Sequence, residues 1–175
     1  MWIPDKSKLV KVCLHSQGED VETPWAEDLG EVPGRPGARL VRLGNVPFLH
    51  AKPTYGDVLL VEPDETYRKL TWDDRGVPFE RIRERIAEDG GRYAMILDYA
   101  VSPSAPDVQT AFTALDKAGE NVNIAVEGGL APTASRPGRA YLAVPYKMTV
   151  EAVLLYLRAQ SLPMLLTLVH PVEEE

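Results

Sequence analysis

The chain is poor in the residues that usually identify an enzyme, with one cysteine and three histidines among 175 residues. A single cysteine excludes an internal disulfide and is typical of a reducing compartment. The sequence carries no recognised phosphate, nucleotide or metal motif. Its first residues contain no apolar run that could form a signal peptide, and no stretch approaches the ~20 apolar residues of a membrane span. We therefore expect a cytoplasmic protein without a membrane partner or a cofactor.

The chain also has fewer basic residues than acidic residues. Nineteen Lys and Arg residues face 26 Asp and Glu residues, which gives a formal net charge of −7. Such a charge repels a phosphate backbone at long range, so nucleic acid is disfavoured as a partner. An acidic surface instead favours a basic protein partner, because complementary charge accelerates association. The pattern is compatible with a monomer or a homodimer.

Proline and glycine are abundant, with 15 and 13 copies, while hydrophobic residues make up 45% and charged residues 26% of the chain. This composition is typical of a folded globule with many turns. Residues 8–75 contain short strand-like segments separated by turn clusters, among them Lys8–His15, 38–43, 58–61 and 67–72. The first of them alternates with period two, which places Val10, Val12 and Leu14 on one face of a strand. Their spacing predicts a small β-barrel-like domain over residues 1–76.

In the second half of the chain, the residues that begin and end helices and strands are easier to recognise. Residues 92–170 follow the order strand, helix, strand, strand, helix, strand, which is that of a ferredoxin-like βαββαβ unit. The predicted fold class is therefore α+β, with the small β domain followed by a ferredoxin-like half over residues 77–175. The two halves could also form one compact unit.

Apolar stripes place the two helices of this half at 105–118 and 149–161. Ser104 with Asp107 three residues on resembles a capping box, and Thr149 can cap the second helix. The two stripes need one common sheet to bury them, so we expect both helices on one face of a four-stranded antiparallel sheet.

The segment 77–91 permits two interpretations. Its helical interpretation rests on apolar residues at helical spacing behind Pro78 and ahead of Gly90, the usual entry and exit residues of a helix. As a strand, it would form a hairpin with Tyr93–Leu97 through the two-residue turn Asp89-Gly90. The hairpin is favoured.

Three N-terminal segments resemble the E-x-x-W-A-x-x-L, N-x-P-F and G-D-V motifs of a bacterial family catalogued only as a domain of unknown function: Glu22–Leu29, Asn45–Phe48 and Gly56–Val58. The resemblance implies an N-terminal β domain followed by an α+β half. It also implies a Ser-Gly-His turn near residues 88–91, where this chain has Glu-Asp-Gly-Gly. No established activity of that family can be transferred to these residues.

His50 is the most reactive candidate side chain, because it follows the Asn45–Phe48 segment and lies near Tyr55 and Asp57 in sequence. Histidine and aspartate can form an acid–base pair. The alternative is that Asn45 and Asp57 bond turn backbone while His50 lies on the surface. Cys13 and His15 share one face of a strand, but their separation of about 6 to 7 Å is too long for nucleophile activation, so a structural role is predicted for Cys13.

Two further groups of residues are candidates for binding. Acidic pairs at Asp64-Glu65 and Asp73-Asp74 bracket a hairpin-like unit and could form an interaction surface or hold a hard cation; the alternative is a pair of solvated turns. The loop at 128–138 offers small residues, hydroxyls, Arg136 and the nearby Arg139 to an anion. A long hairpin loop explains the same composition.

These residues do not assemble a nucleophile, a base and an orienting group, so no catalytic residue is assigned. The first hypothesis is a non-enzymatic binding protein of the immunity or inhibitor type that masks a basic protein partner. Its candidate surface comprises Asp64, Glu65, Asp73 and Asp74, together with His50 and Asp57. The alternatives are a small-molecule-sensing regulatory domain and a hydrolase or transferase centred on His50.

Overall fold

A computed structural model describes residues 2–15, 21–62, 75–77, 85–103, 105 and 107–171. The chain divides into two compact units, Trp2–Arg92 and Tyr93–Glu175. The division follows Arg92, whereas the sequence placed it between residues 76 and 77. The difference arises because a short strand beyond residue 77 belongs to the sheet of the first unit.

The first unit is built from strands. A 3-10 turn at Lys6–Lys8 precedes β1 (Leu9–His15), β2 (Val21–Glu22), β3 (Trp25–Glu31), β4 (Arg39–Leu43), β5 (Val58–Val61), β6 (Arg75–Val77) and β7 (Ile86–Glu88). They form a sheet of order β2-β1-β3-β4-β5-β7, and β6 pairs in parallel with β1. Among the described strands this sheet is open, so the barrel-like expectation is wrong. Two of its strands, β2 and β7, have only two and three residues.

The core of this sheet follows the period-two pattern of its strands. On β1, Val12 and Leu14 are buried and Val10 packs beside them, as the alternation predicted. The remaining fully buried members come from β3, β4 and β5: Ala26, Val41, Leu43, Leu59 and Val61. Cys13 is buried as well. The strand predicted over 67–72 lies outside the described residues.

The position of β7 corrects the hairpin prediction. Ile86–Glu88 is a strand, but it pairs antiparallel with β5, where Val58 faces Glu88 and Leu59 faces Ile86. The following strand, β8 (Arg92–Val101), belongs to a different sheet. The Asp89-Gly90 turn therefore leads out of the first sheet instead of closing a hairpin. The sequence of this strand does not show whether β5 or β8 is its partner, because a short strand segment can pair with either.

The second unit contains the predicted order of elements: β8, α1 (Val108–Asn121), β9 (Ala125–Leu130), β10 (Gly138–Pro145), α2 (Val150–Ala159) and β11 (Met164–Pro171). The four strands are arranged β11-β8-β10-β9, with β8 and β11 antiparallel and β9 and β10 antiparallel. Buried residues of both helices share one apolar cluster with alternate residues of β8 and β10, such as Leu115, Leu157, Leu97 and Leu142. The helices therefore lie on the same face of the sheet, as predicted.

The ends of the helices confirm one cap and correct the other. Thr149 caps α2, because its hydroxyl accepts a hydrogen bond from the Ala152 amide at 3.2 Å. The cap of α1 is Asp107 itself, whose carboxylate accepts from the Thr110 amide at 2.6 Å, so α1 begins three residues later than the predicted 105–118. Neither α-helix in the described part of the chain is long and apolar enough to cross a membrane.

Candidate functional site

The N-terminal motif residues hold backbone amides in the first unit. The Glu22 carboxylate accepts hydrogen bonds from the amides of Phe48 and Leu49, at 2.7 and 3.1 Å. The Asn45 side-chain oxygen accepts one from the Trp25 amide at 2.8 Å. These contacts join the loop after β4 to the chain around β2 and β3. The motif side chains thus have a structural role that accounts for their spacing.

Asp57 is the buried centre of a polar cluster. Its carboxylate is 0% exposed and accepts hydrogen bonds from the amides of Thr54 at 2.8 Å and Gly90 at 2.7 Å. The ammonium of Lys52 lies 3.1 and 3.2 Å from the two carboxylate oxygens, and it also reaches Asp89 at 3.0 Å. Burial raises the pKa of Asp57, although these donors work in the opposite direction. We call Lys52, Thr54, Asp57, Asp89 and Gly90 the Asp57 cluster.

His50 does not lie on the surface, as the turn interpretation had assumed. Its side chain is 2% exposed, and Tyr55 is 5% exposed. The Tyr55 hydroxyl donates to the backbone oxygen of Trp2, while the hydrogen bonds that Asp57 accepts come from Thr54, Gly90 and Lys52. Asp57 therefore binds backbone amides, which one interpretation of the sequence predicted. The enzyme centred on His50 stays a prediction.

The four acidic residues of the first hypothesis, Asp64, Glu65, Asp73 and Asp74, lie outside the described residues. Within the described ranges, no three side chains of His, Cys, Asp or Glu are grouped in a way that could hold a metal ion.

An open crevice of about 560 Å³ lies in the second unit. Its walls come from the end of β8, the first residue of α1, the β9–β10 loop and β11. Six lining residues are apolar: Ala100, Val101, Val108, Pro132, Ala134 and Pro137. The polar ones are three hydroxyl residues and one arginine: Thr133, Ser135, Thr167 and Arg136. Arg136, which the sequence assigned to an anion site, is thus a crevice residue.

Arg139 has a different role. Its Nε lies 2.7 Å from Oδ1 of Asp98 and its Nη2 lies 3.0 Å from Oδ2, which makes a two-point ion pair between β10 and β8. Tyr141 also hydrogen-bonds with this arginine. Asp98 thus pairs with the guanidinium of Arg139, and the assignment of Arg139 to an anion site stays a prediction.

Asp98 is the residue that sequence reasoning missed. It is 6% exposed, and its neighbours Leu97 and Tyr99 face the helices, so it lies on the other face of the sheet. A signal was present, since a lone acidic residue inside the apolar run Arg92–Val101 requires a charged partner. The hydrogen bonds from Arg139 lower the pKa of Asp98, and the nearby charge of His170 adds to that effect.

The lowered pKa of Asp98 predicts how its contribution depends on pH. Its ordinary value is 3.8 and its value in the fold is lower, so the ion pair stabilises fully above pH 3.8. That contribution is lost as the pH falls through the lower, folded-state pKa. We expect Asp98→Asn to reduce the free energy of unfolding by about 1 kcal/mol at pH 7, because Arg139 is partly exposed. Urea unfolding at a series of pH values should show the difference from wild type shrinking in acid.

Asp116→Asn is the matched control in the same unit. Burial raises the pKa of Asp116, so removing its charge should not produce a penalty that disappears in acid. A penalty for Asp98→Asn that is the same at pH 3 and pH 7 would contradict the ion-pair account.

Comparisons with protein-family models, with curated proteins and with solved structures give no match for this chain. The family resemblance of the N-terminal motifs therefore stays a prediction.

Proposed function

We propose that the protein binds a small molecule in the crevice of its second unit and acts as a ligand-sensing domain on a ferredoxin-like βαββαβ scaffold. The observation that carries the proposal is the crevice itself, whose volume of about 560 Å³ lies within the ~300–1,000 Å³ range of ligand sites. Mostly apolar walls with a few polar groups are also typical of such sites.

The composition of the walls supports a sensing role. Val101 belongs to β8, Val108 begins α1, Arg136 belongs to the β9–β10 loop and Thr167 belongs to β11. A ligand that touches all four elements can shift their equilibrium positions, provided that it binds one arrangement more tightly than another. Sensing needs only that difference in affinity, without a catalytic group.

A fragment screen followed by amide NMR spectra tests this proposal. We expect binders to shift resonances of Val101, Val108 and Thr167. Ala134→Trp should abolish those shifts, because the indole that replaces the methyl group of this lining residue fills the crevice. Ala131→Trp is the control, since Ala131 is exposed on the same loop but does not line the crevice. Binders that shift only residues elsewhere, or that ignore Ala134→Trp, would refute the proposal.

The net charge of −7 supports a second candidate, a protein that masks a basic protein partner. Long-range attraction of this kind is screened over about 8 to 10 Å at physiological salt. A partner recovered by pull-down should therefore associate markedly more slowly as salt is raised. An association rate that does not change with salt would contradict this candidate.

A further inference from the structure

We propose that the crevice selects an organic anion, a molecule with an apolar body and one carboxylate, and that Arg136 receives the carboxylate. This inference rests on the proposed function, since it names the class of ligand that the same crevice takes.

The charge of the lining carries the first step. Arg136 is the one charged residue among the ten that line the crevice, and none of them is acidic. The chain as a whole has more Asp and Glu residues than Lys and Arg residues, 26 against 19. An incoming anion therefore meets a local positive charge in an otherwise acidic protein.

The other charged groups next to the crevice already have binding partners, which is why we assign the carboxylate of the ligand to Arg136. Asp107 precedes Val108, but its carboxylate caps α1 through the Thr110 amide, and that bond lowers the pKa of Asp107. The end of α1 thus already holds an anion and is not the receptor. Arg139 is bound to Asp98.

The loop that carries Arg136 is braced at its base. The Thr133 amide donates to the Arg136 carbonyl oxygen at 2.8 Å. Gly138 packs so closely that a Cβ there would lie 2.7 Å from the Tyr99 ring and 2.8 Å from Pro132. Because these contacts already order the loop, less conformational entropy is lost when a ligand binds Arg136.

The chemistry of the walls separates a carboxylate with an apolar body from free phosphate. A guanidinium matches the two oxygens of a carboxylate in a fork geometry. Phosphate has more charge and more acceptor oxygens, and it would leave the apolar side chains of Val101 and Val108 unused. A flat apolar body covers those side chains, while the hydroxyls of Thr133 and Ser135 remain beside the charged end.

The test uses three probes on the full chain, observed by fluorine and phosphorus NMR: 4-fluorobenzoate, the neutral 4-fluorobenzyl alcohol and inorganic phosphate. We expect 4-fluorobenzoate to bind the crevice more tightly than the other two. Arg136→Gln should weaken its binding about tenfold, as loss of a charge-assisted hydrogen bond predicts. Lys147→Gln is the matched control, because it removes one exposed positive charge from the same unit outside the crevice.

A second variant tests the charge without touching Arg136. Val108→Glu puts a carboxylate into the crevice, and an acidic residue in the first turn of a helix is favourable to folding. Binding of 4-fluorobenzoate should fall several-fold more than binding of the alcohol, because both probes lose the apolar contact with Val108 but only the benzoate is repelled by the new charge.

The outcomes separate this inference from the proposed function. Equal binding of the alcohol and the benzoate, unchanged by Arg136→Gln, would overturn the inference and leave the crevice as a site for neutral ligands. Phosphate binding as tightly as 4-fluorobenzoate would overturn it in favour of a simple anion site. Failure of all three probes, together with a fragment screen that leaves the crevice unshifted, would remove the inference and the proposed function together.

Discussion

Asp57→Ala should lower the free energy of unfolding by about 3 kcal/mol, because it leaves two amides and part of an ammonium without an acceptor in a buried place. The amides belong to Thr54 and Gly90, and the ammonium belongs to Lys52, which keeps its contact with Asp89. Chemical denaturation of the variant and the wild type, monitored by tryptophan fluorescence, measures the difference.

Asp57→Asn distinguishes the role of the charge from that of the acceptor atoms. Burial raises the pKa of Asp57, so the charge itself is disfavoured in the fold. The amide variant keeps one oxygen acceptor but turns its NH2 donor toward the amide of either Thr54 or Gly90, so it should still cost about 2 kcal/mol, less than Asp57→Ala. If Asp57→Ala were as stable as wild type, the Asp57 cluster would have no role in holding the first unit together.

Leu115→Ala should destabilise the second unit by about 3 kcal/mol, within the range of about 2 to 5 kcal/mol for a buried leucine truncated to alanine. Leu115 is 0% exposed, in the cluster where both helices meet the sheet. The loss combines the apolar surface that is no longer buried with the cavity that remains. Thermal unfolding of the two proteins would measure it.

Leu155→Ala is the control on the other helix. Leu155 is 73% exposed, so the same chemical change should cost less than about 0.5 kcal/mol. Equal effects of the two substitutions would mean that the cluster around Leu115 is not the core of this unit.

Features encoded within one element could be predicted from the sequence. The alternation of Val10, Val12 and Leu14 gave the buried face of β1, and Thr149 ahead of an apolar stripe gave the start of α2. These patterns depend on side chains a few residues apart, which sequence reading compares directly. The order of elements after Arg92 follows from the same kind of local evidence.

Features that join distant residues could not be predicted. β7 pairs with β5, and no local pattern in residues 86–88 specifies that strand over β8. Asp57 receives its hydrogen bond from Gly90, which lies 33 residues further along the chain. Arg139 meets Asp98 across 41 residues, so the sequence did not show that the two side chains form an ion pair. Nothing in the sequence around Lys52 indicated that its ammonium group binds Asp57.

The Asp57 cluster also determines where the chain can be cut. Gly90 approaches Gly56 so closely that a Cβ on it would lie 2.7 Å from the Gly56 carbonyl carbon, and its amide serves Asp57. A fragment that stops at residue 76 loses β7, Asp89 and Gly90, and it leaves the Asp57 carboxylate with fewer donors. A fragment that stops after Arg92 retains all of them, so gene fusions and deletions that aim to separate the two units belong at that peptide bond.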